Sequence, residues 1–142
     1  MKALVVYEGN TEKVGQAICD GLKQTKAADV ECKAAGSVGA SDLQSADYII
    51  VGAPSSGFLV GRKAKAVVKN AVAAKKTKFV LFDTRAAGAS MGMAQSLAEM
   101  VKGGGGNVVA WTYFGLGPDK ALMGGEESLA KVYGANLATM MK

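Results

Sequence analysis

The sequence predicts an α/β domain: a five-stranded parallel sheet with helices on both faces. Three features of the chain lead to it. Strand-like and helix-like patterns alternate through all 142 residues. Several strand-like runs are apolar without interruption, as expected of strands covered on both faces. There is no internal repeat of fixed period, and five βα units in this rhythm imply right-handed crossovers in one parallel sheet.

Ala3 to Tyr7 is a continuous apolar run and reads as the first strand. Asn10 or Thr11 can cap the next helix. There Val14, Ile18 and Leu22 recur every four residues, with Ala17 and Gly21 beside them, as one face packing on the sheet. Val30, Cys32 and Ala34 alternate with Glu31 and Lys33, so the second strand is half exposed and belongs at an edge. Gly36 to Gln44 is small and polar, and Ser41-Asp42 can start a short helical turn. Tyr48 to Gly52 is the third strand and a central one. Ala53 to Gly61 follows as a loop with Pro54. Arg62 to Ala74 keeps helical spacing through Ala64, Val67, Val68, Ala71 and Val72.

Lys78 to Phe82 is the fourth strand, and Asp83 to Ser90 reads as a loop. Met93, Leu97, Met100 and Val101 mark a helix that stops at Gly103-Gly104-Gly105-Gly106. Val108 to Phe114 is the fifth strand, with Trp111 and Tyr113 expected in the core. Gly115 to Gly125 is a loop. Glu126 to Met141 is a last helix whose inward face is expected to carry Leu129, Val132, Tyr133, Leu137 and Met140.

Residues 1–142 have the size of one domain. Hydrophobic residues are 49% and charged residues 20% of the chain, which fits a globular protein. No run reaches the ~18 apolar residues of a membrane span. The apolar start is too short for a signal sequence and reads as a buried strand of a cytoplasmic protein. Cys19 and Cys32 fall in or near the core. Their count permits a disulfide, and nothing points to an oxidising compartment. There is no His and no Cys-x-x-Cys, which excludes a His-based triad, dyad or metal site. The net charge is +5. The lysines are spread along the chain without interleaved aromatics, so they read as a solvated surface and not as a nucleic-acid groove.

Ligands on such sheets bind beyond the carboxyl ends of the strands. Three loops converge there: Glu8 to Thr11, Pro54 to Gly61 and Thr84 to Ser90. At these loops the chain resembles a flavodoxin. Lys2-Ala3-Leu4-Val5-Val6-Tyr7-Glu8, followed by Gly9-Asn10-Thr11-Glu12-Lys13-Val14, is similar to the opening of that family. Val51-Gly52-Ala53-Pro54 resembles the end of its third strand. Phe82-Asp83-Thr84-Arg85 and Gly124-Gly125-Glu126-Glu127 resemble segments of a subgroup of short flavodoxin-like proteins. The resemblance covers essentially the whole chain, in order. It implies a three-layer doubly wound sandwich with sheet order 2-1-3-4-5, bound FMN and one-electron transfer. On it we expect a monomeric electron carrier rather than an enzyme, working with a redox partner protein.

In the first loop, Gly9, Asn10 and Thr11 offer a small residue, a cap and a hydroxyl at a helix N-terminus, where phosphate is favoured. Capping alone explains them equally well. The loop is a few residues shorter than the family's and lacks a hydroxyl before Gly9, and Glu8 stands close enough to repel a phosphate. Weak or absent FMN binding is therefore an expectation too. In the second loop, Phe58 can cover a flavin ring, and Pro54, Ser55, Ser56 and Gly57 can bond its edge. The alternative is that Phe58, Leu59 and Val60 fold over their own strand ends. In the third loop, the small residues around Thr84, Ala86 and Gly88 let backbone amides approach a ring. Arg85 can pair with phosphate or flavin, or lie on the surface. Unlike the generally acidic family, this chain is basic, which suits a partner with an acidic surface. The rival expectation is a flavodoxin fold that has lost FMN and acts as a binding or regulatory module. A flavin-dependent reductase of quinones or nitro compounds ranks last, because the short chain leaves little to build a substrate pocket.

Overall fold

In the computed structural model, residues 2–25, 29–55, 61–74, 76, 78–86, 92–116 and 122–140 are described, the side chains of residues 10 and 86 excepted. Five strands form one sheet: β1 (Lys2–Tyr7), β2 (Asp29–Ala34), β3 (Tyr48–Pro54), β4 (Lys78–Ala86) and β5 (Asn107–Leu116). Their order is β2-β1-β3-β4-β5 and every pairing is parallel, the order the resemblance implied. The helices are α1 (Glu12–Thr25), α2 (Ala40–Ser45), α3 (Arg62–Ala73), α4 (Met93–Gly103) and α5 (Glu126–Met140). None of them is long and apolar enough to cross a membrane.

Alternation along the strands sorts the core into two layers. Leu4, Val6, Ile49, Val51, Phe79 and Leu81 pack with α2, α3 and α4 on one face. Ala3, Val5, Tyr48, Ile50, Val80 and Phe82 pack with α1 and α5 on the other. All seven residues of β3 are buried, so the central position expected of it holds. β2 is a half-exposed edge strand, also as expected.

Three expectations need correction. The segment Asp83–Ala86 is strand and not loop. Thr84 pairs with Pro54 of β3 and Ala86 with Leu116 of β5, so Thr84, Arg85 and Ala86 carry the ladder on. Trp111 and Tyr113 are not core. They are 45% and 53% exposed, because β5 has a neighbour on one side only. Finally, α5 turns a partly different face inward, although Leu137 is buried and Tyr133 packs against the core as expected. Leu129, Val132 and Met140 are exposed, and Ala130, Gly134, Leu137 and Ala138 are buried. Small residues let α5 approach α1 backbone to backbone. A Cβ on Gly134 would collide with the Ile18 carbonyl, and one on Gly21 with that of Lys131. Cys19 and Cys32 form a disulfide that ties α1 to β2.

Candidate functional site

At the carboxyl end of the sheet, β1 leads to a helix on one face and β3 to a helix on the other. The crevice between them is the switch point where such sheets take ligands. Five chain segments meet there: the turn after β1, the end of β3, the end of β4, the N-terminus of α3 and the N-terminus of α4.

The turn after β1 is tight. Gly9–Thr11 forms a single 3-10 turn that runs directly into α1. Gly9 has φ +59, a left-handed conformation that favours glycine, and a Cβ there would lie 3.6 Å from Pro54. The first and second loops therefore touch. Thr11 is fully buried. Its hydroxyl donates to the Glu8 carbonyl at 2.7 Å and accepts from the Glu8 N–H at 3.0 Å. The N–H of Thr11 is bonded to the Glu8 carbonyl and that of Glu12 to the Gly9 carbonyl.

Glu8 reaches away from its own helix. Its carboxylate accepts the Gly61 N–H at 3.1 Å and the Ala64 N–H at 2.7 Å, and so caps α3 from the turn after β1. The physical need is plain in the sequence of α3. Its first turn holds no acidic residue and begins Arg62-Lys63-Ala64-Lys65, which opposes the helix dipole. Glu8 supplies the missing negative charge.

α4 is capped the same way. Asp83, fully buried on β4, accepts the Ala94 N–H at 2.9 Å. Its two oxygens also take Arg85 Nε at 2.9 Å and Nη2 at 2.7 Å, a bidentate pair. Arg85 is 9% exposed, and its guanidinium lies 4.1 Å from the centre of the Tyr113 ring. The bonds to Asp83 hold the Arg85 pKa above its ordinary value, against the opposing effect of burial. Gly92 must be small here, because a Cβ would strike both the guanidinium and the carboxylate. The Met93 N–H donates to Ser55 Oγ at 3.0 Å, and the Ser55 N–H bonds the Thr84 carbonyl at 2.9 Å.

The structure thus gathers Gly9, Thr11, Pro54, Ser55, Thr84 and Arg85 at one end of the sheet. Asn10 and Ala86 lie there by their backbone. Ser56, Gly57, Phe58 and Gly88 fall outside the described residues. Sequence reasoning missed the clamp made by Glu8 and the pair made by Asp83 and Arg85. The acid-free first turn of α3 was the available signal for the first. The second had none, since an Asp and an Arg beside a Thr read as loop.

No protein-family model matches the sequence. No curated protein matches it either. Solved structures do. A flavodoxin from the domain Archaea is 22% identical, with 99% of this chain and 98% of that one covered and a TM-score of 0.73. Flavodoxin 1 from Bacillus cereus gives 18% identity, full coverage of both chains and a TM-score of 0.79. The two-electron reduced flavodoxin of Megasphaera elsdenii gives 23% identity, 96% and 99% coverage and a TM-score of 0.72.

The chain has the flavodoxin-like fold.

At such identities the likeness is one of fold, so whether FMN fits has to be judged from the residues. The turn after β1 fits a phosphate monoester poorly. The Thr11 hydroxyl and the amides of Glu8, Thr11 and Glu12 are already used within the turn, and the Glu8 carboxylate is fixed beside it. The ends of β3 and β4 are apolar or internally neutralised, which suits the uncharged part of a flavin better than its phosphate.

Proposed function

We propose that this chain is a flavin-binding electron carrier of the flavodoxin type, with FMN as a flavin it holds weakly at the phosphate end. The likeness over the full length of known flavodoxins, in both directions, supports this reading most. When bound, a flavin supplies the redox chemistry, and the protein supplies position and field. In this reading the ring lies against the segments that follow β3 and β4, near Pro54, Ser55, Ser56, Gly57, Phe58, Thr84, Arg85, Ala86 and Gly88. Gly9, Asn10 and Thr11 lie toward the other end of the ligand. No acid, base or nucleophile is required of the chain, which agrees with a sequence without His. A net charge of +5 suits a redox partner protein with an acidic surface and keeps copies of this chain apart, as a monomeric carrier requires.

The test is an absorbance spectrum of freshly purified protein followed by titration with FMN. Flavin bands that saturate at one flavin per chain, and that bleach and return on chemical reduction and reoxidation, support the reading. A colourless protein that stays so with excess FMN and excess riboflavin overturns it. That second outcome is the one expected of a module that has kept the fold and lost the flavin, a reading favoured by the Glu8 clamp.

A further inference from the structure

We infer that Glu8 is a specificity-determining residue that sets this site against a 5′-phosphate, so that it takes a flavin ending in a neutral hydroxyl in preference to FMN. The inference rests on the flavin reading above and deepens it.

The first βα turn at a switch point is where a phosphate belongs, because unpaired amides and the positive end of a helix meet there. In this chain that turn is partly closed on itself. Thr11 spends its hydroxyl on the Glu8 backbone, and the amides of Glu8, Thr11 and Glu12 bond within the turn. The negative charge that the crevice can use is already built in. The Glu8 carboxylate joins the end of β1 to the start of α3 through Gly61 and Ala64.

Three constraints keep that carboxylate in place. Swinging it away would break two amide bonds. It would also leave α3 with three exposed cations, Arg62, Lys63 and Lys65, at its positive end and no anion. The backbone cannot retreat either, since Gly9 is held in a left-handed turn against Pro54. The cations of that turn, Arg62, Lys63 and Lys65, are exposed, so solvent and salt screen them more than the partly buried carboxylate. Among the described residues, Arg85 is committed to Asp83, and Glu8 is not one of the paired acids. A phosphate monoester carries a charge of about −1.5 to −2 at neutral pH, so it meets a fixed charge of its own sign across a partly buried gap. A terminal hydroxyl meets no such opposition and can donate to the carboxylate.

The experiment titrates the full chain, freed of any flavin, with riboflavin and with FMN in parallel, following flavin fluorescence. It repeats both titrations with Glu8→Gln, which keeps one acceptor oxygen for α3. Thermal melts confirm that the variant is folded. The expected result is riboflavin binding about tenfold tighter than FMN in the parent chain, with that preference lost or reversed in Glu8→Gln. FMN binding tighter than riboflavin in the parent chain overturns the inference and leaves the flavin reading standing. A riboflavin preference that Glu8→Gln leaves unchanged overturns the role of Glu8. Binding of neither flavin to either protein overturns both the inference and the reading it rests on.

Discussion

Removing the carboxylate of Asp83 should be among the most damaging single changes in this protein. Asp83 is fully buried and accepts three hydrogen bonds, two from Arg85 and one from the Ala94 amide at the start of α4. In Asp83→Ala, a guanidinium only 9% exposed loses its counter-ion. The first turn of α4 loses an acceptor. Breaking one side of a buried pair costs about 3–5 kcal/mol, a large share of the ~5–15 kcal/mol that holds a domain together. Asp83→Asn keeps an acceptor for Ala94 and forfeits the charge, so about 2 kcal/mol is expected, in the range of hydrogen bonds to charged groups. Adding Arg85→Met to Asp83→Asn removes the stranded charge and should recover a good part of that loss. The assay is urea unfolding followed by circular dichroism, with the denaturant slope checked for constancy. A cost below about 1 kcal/mol for Asp83→Ala would refute the reasoning. So would a double variant whose loss equals the sum of the two single losses, since the pair would then be uncoupled.

Changes at four further positions test other parts of the structure. Thr11→Val keeps the shape of a buried side chain, strands the Glu8 amide and takes one of two donors from the Glu8 carbonyl. It should cost about 1–3 kcal/mol by the same assay, with Thr11→Ser much milder. Gly21→Ala drives a methyl into the Lys131 carbonyl and should cost about 1–3 kcal/mol, read as a lower melting temperature. Gly103→Ala, where a Cβ meets nothing within 4 Å, should be neutral or stabilising. The hydroxyl of Tyr133 is buried without a partner among the described residues, and burial pushes its pKa up to about 12. The protonated form is thus favoured in the fold. Its contribution is full below the unfolded value of ~10 and is lost as pH rises toward about 12. Tyr133→Phe should remove that alkaline loss without weakening the protein at neutral pH.

The parts of the fold legible in the sequence are those where one pattern has one meaning. The apolar runs of β1, β3 and β4 read as covered strands because burial on both faces leaves no room for polar residues. The alternation of Val30, Cys32 and Ala34 with Glu31 and Lys33 gave away the exposed edge at β2. The opposite edge was hidden, because β5 is as apolar as a central strand, and its place follows from the topology alone. The face of α5 was partly misread for a related reason. Large apolar residues suggested the inward side, whereas the helix needs Ala130, Gly134 and Ala138 to come close to α1. Polar residues misled in the opposite sense. Asp83 and Arg85 satisfy each other and so can sit buried at the end of a strand. At the site, Glu8 was legible as a charge that opposes phosphate. Its grip on α3 was not, because its partners are backbone amides more than fifty residues away.

The most direct test of flavin binding at the carboxyl end of the sheet is a backbone-amide NMR titration with riboflavin. Shifts confined to the turn after β1, the ends of β3 and β4 and the first turns of α3 and α4, around Gly9, Ser55, Gly61, Arg85 and Gly92, are the predicted result. Saturating shifts centred elsewhere, or none at all, would contradict it.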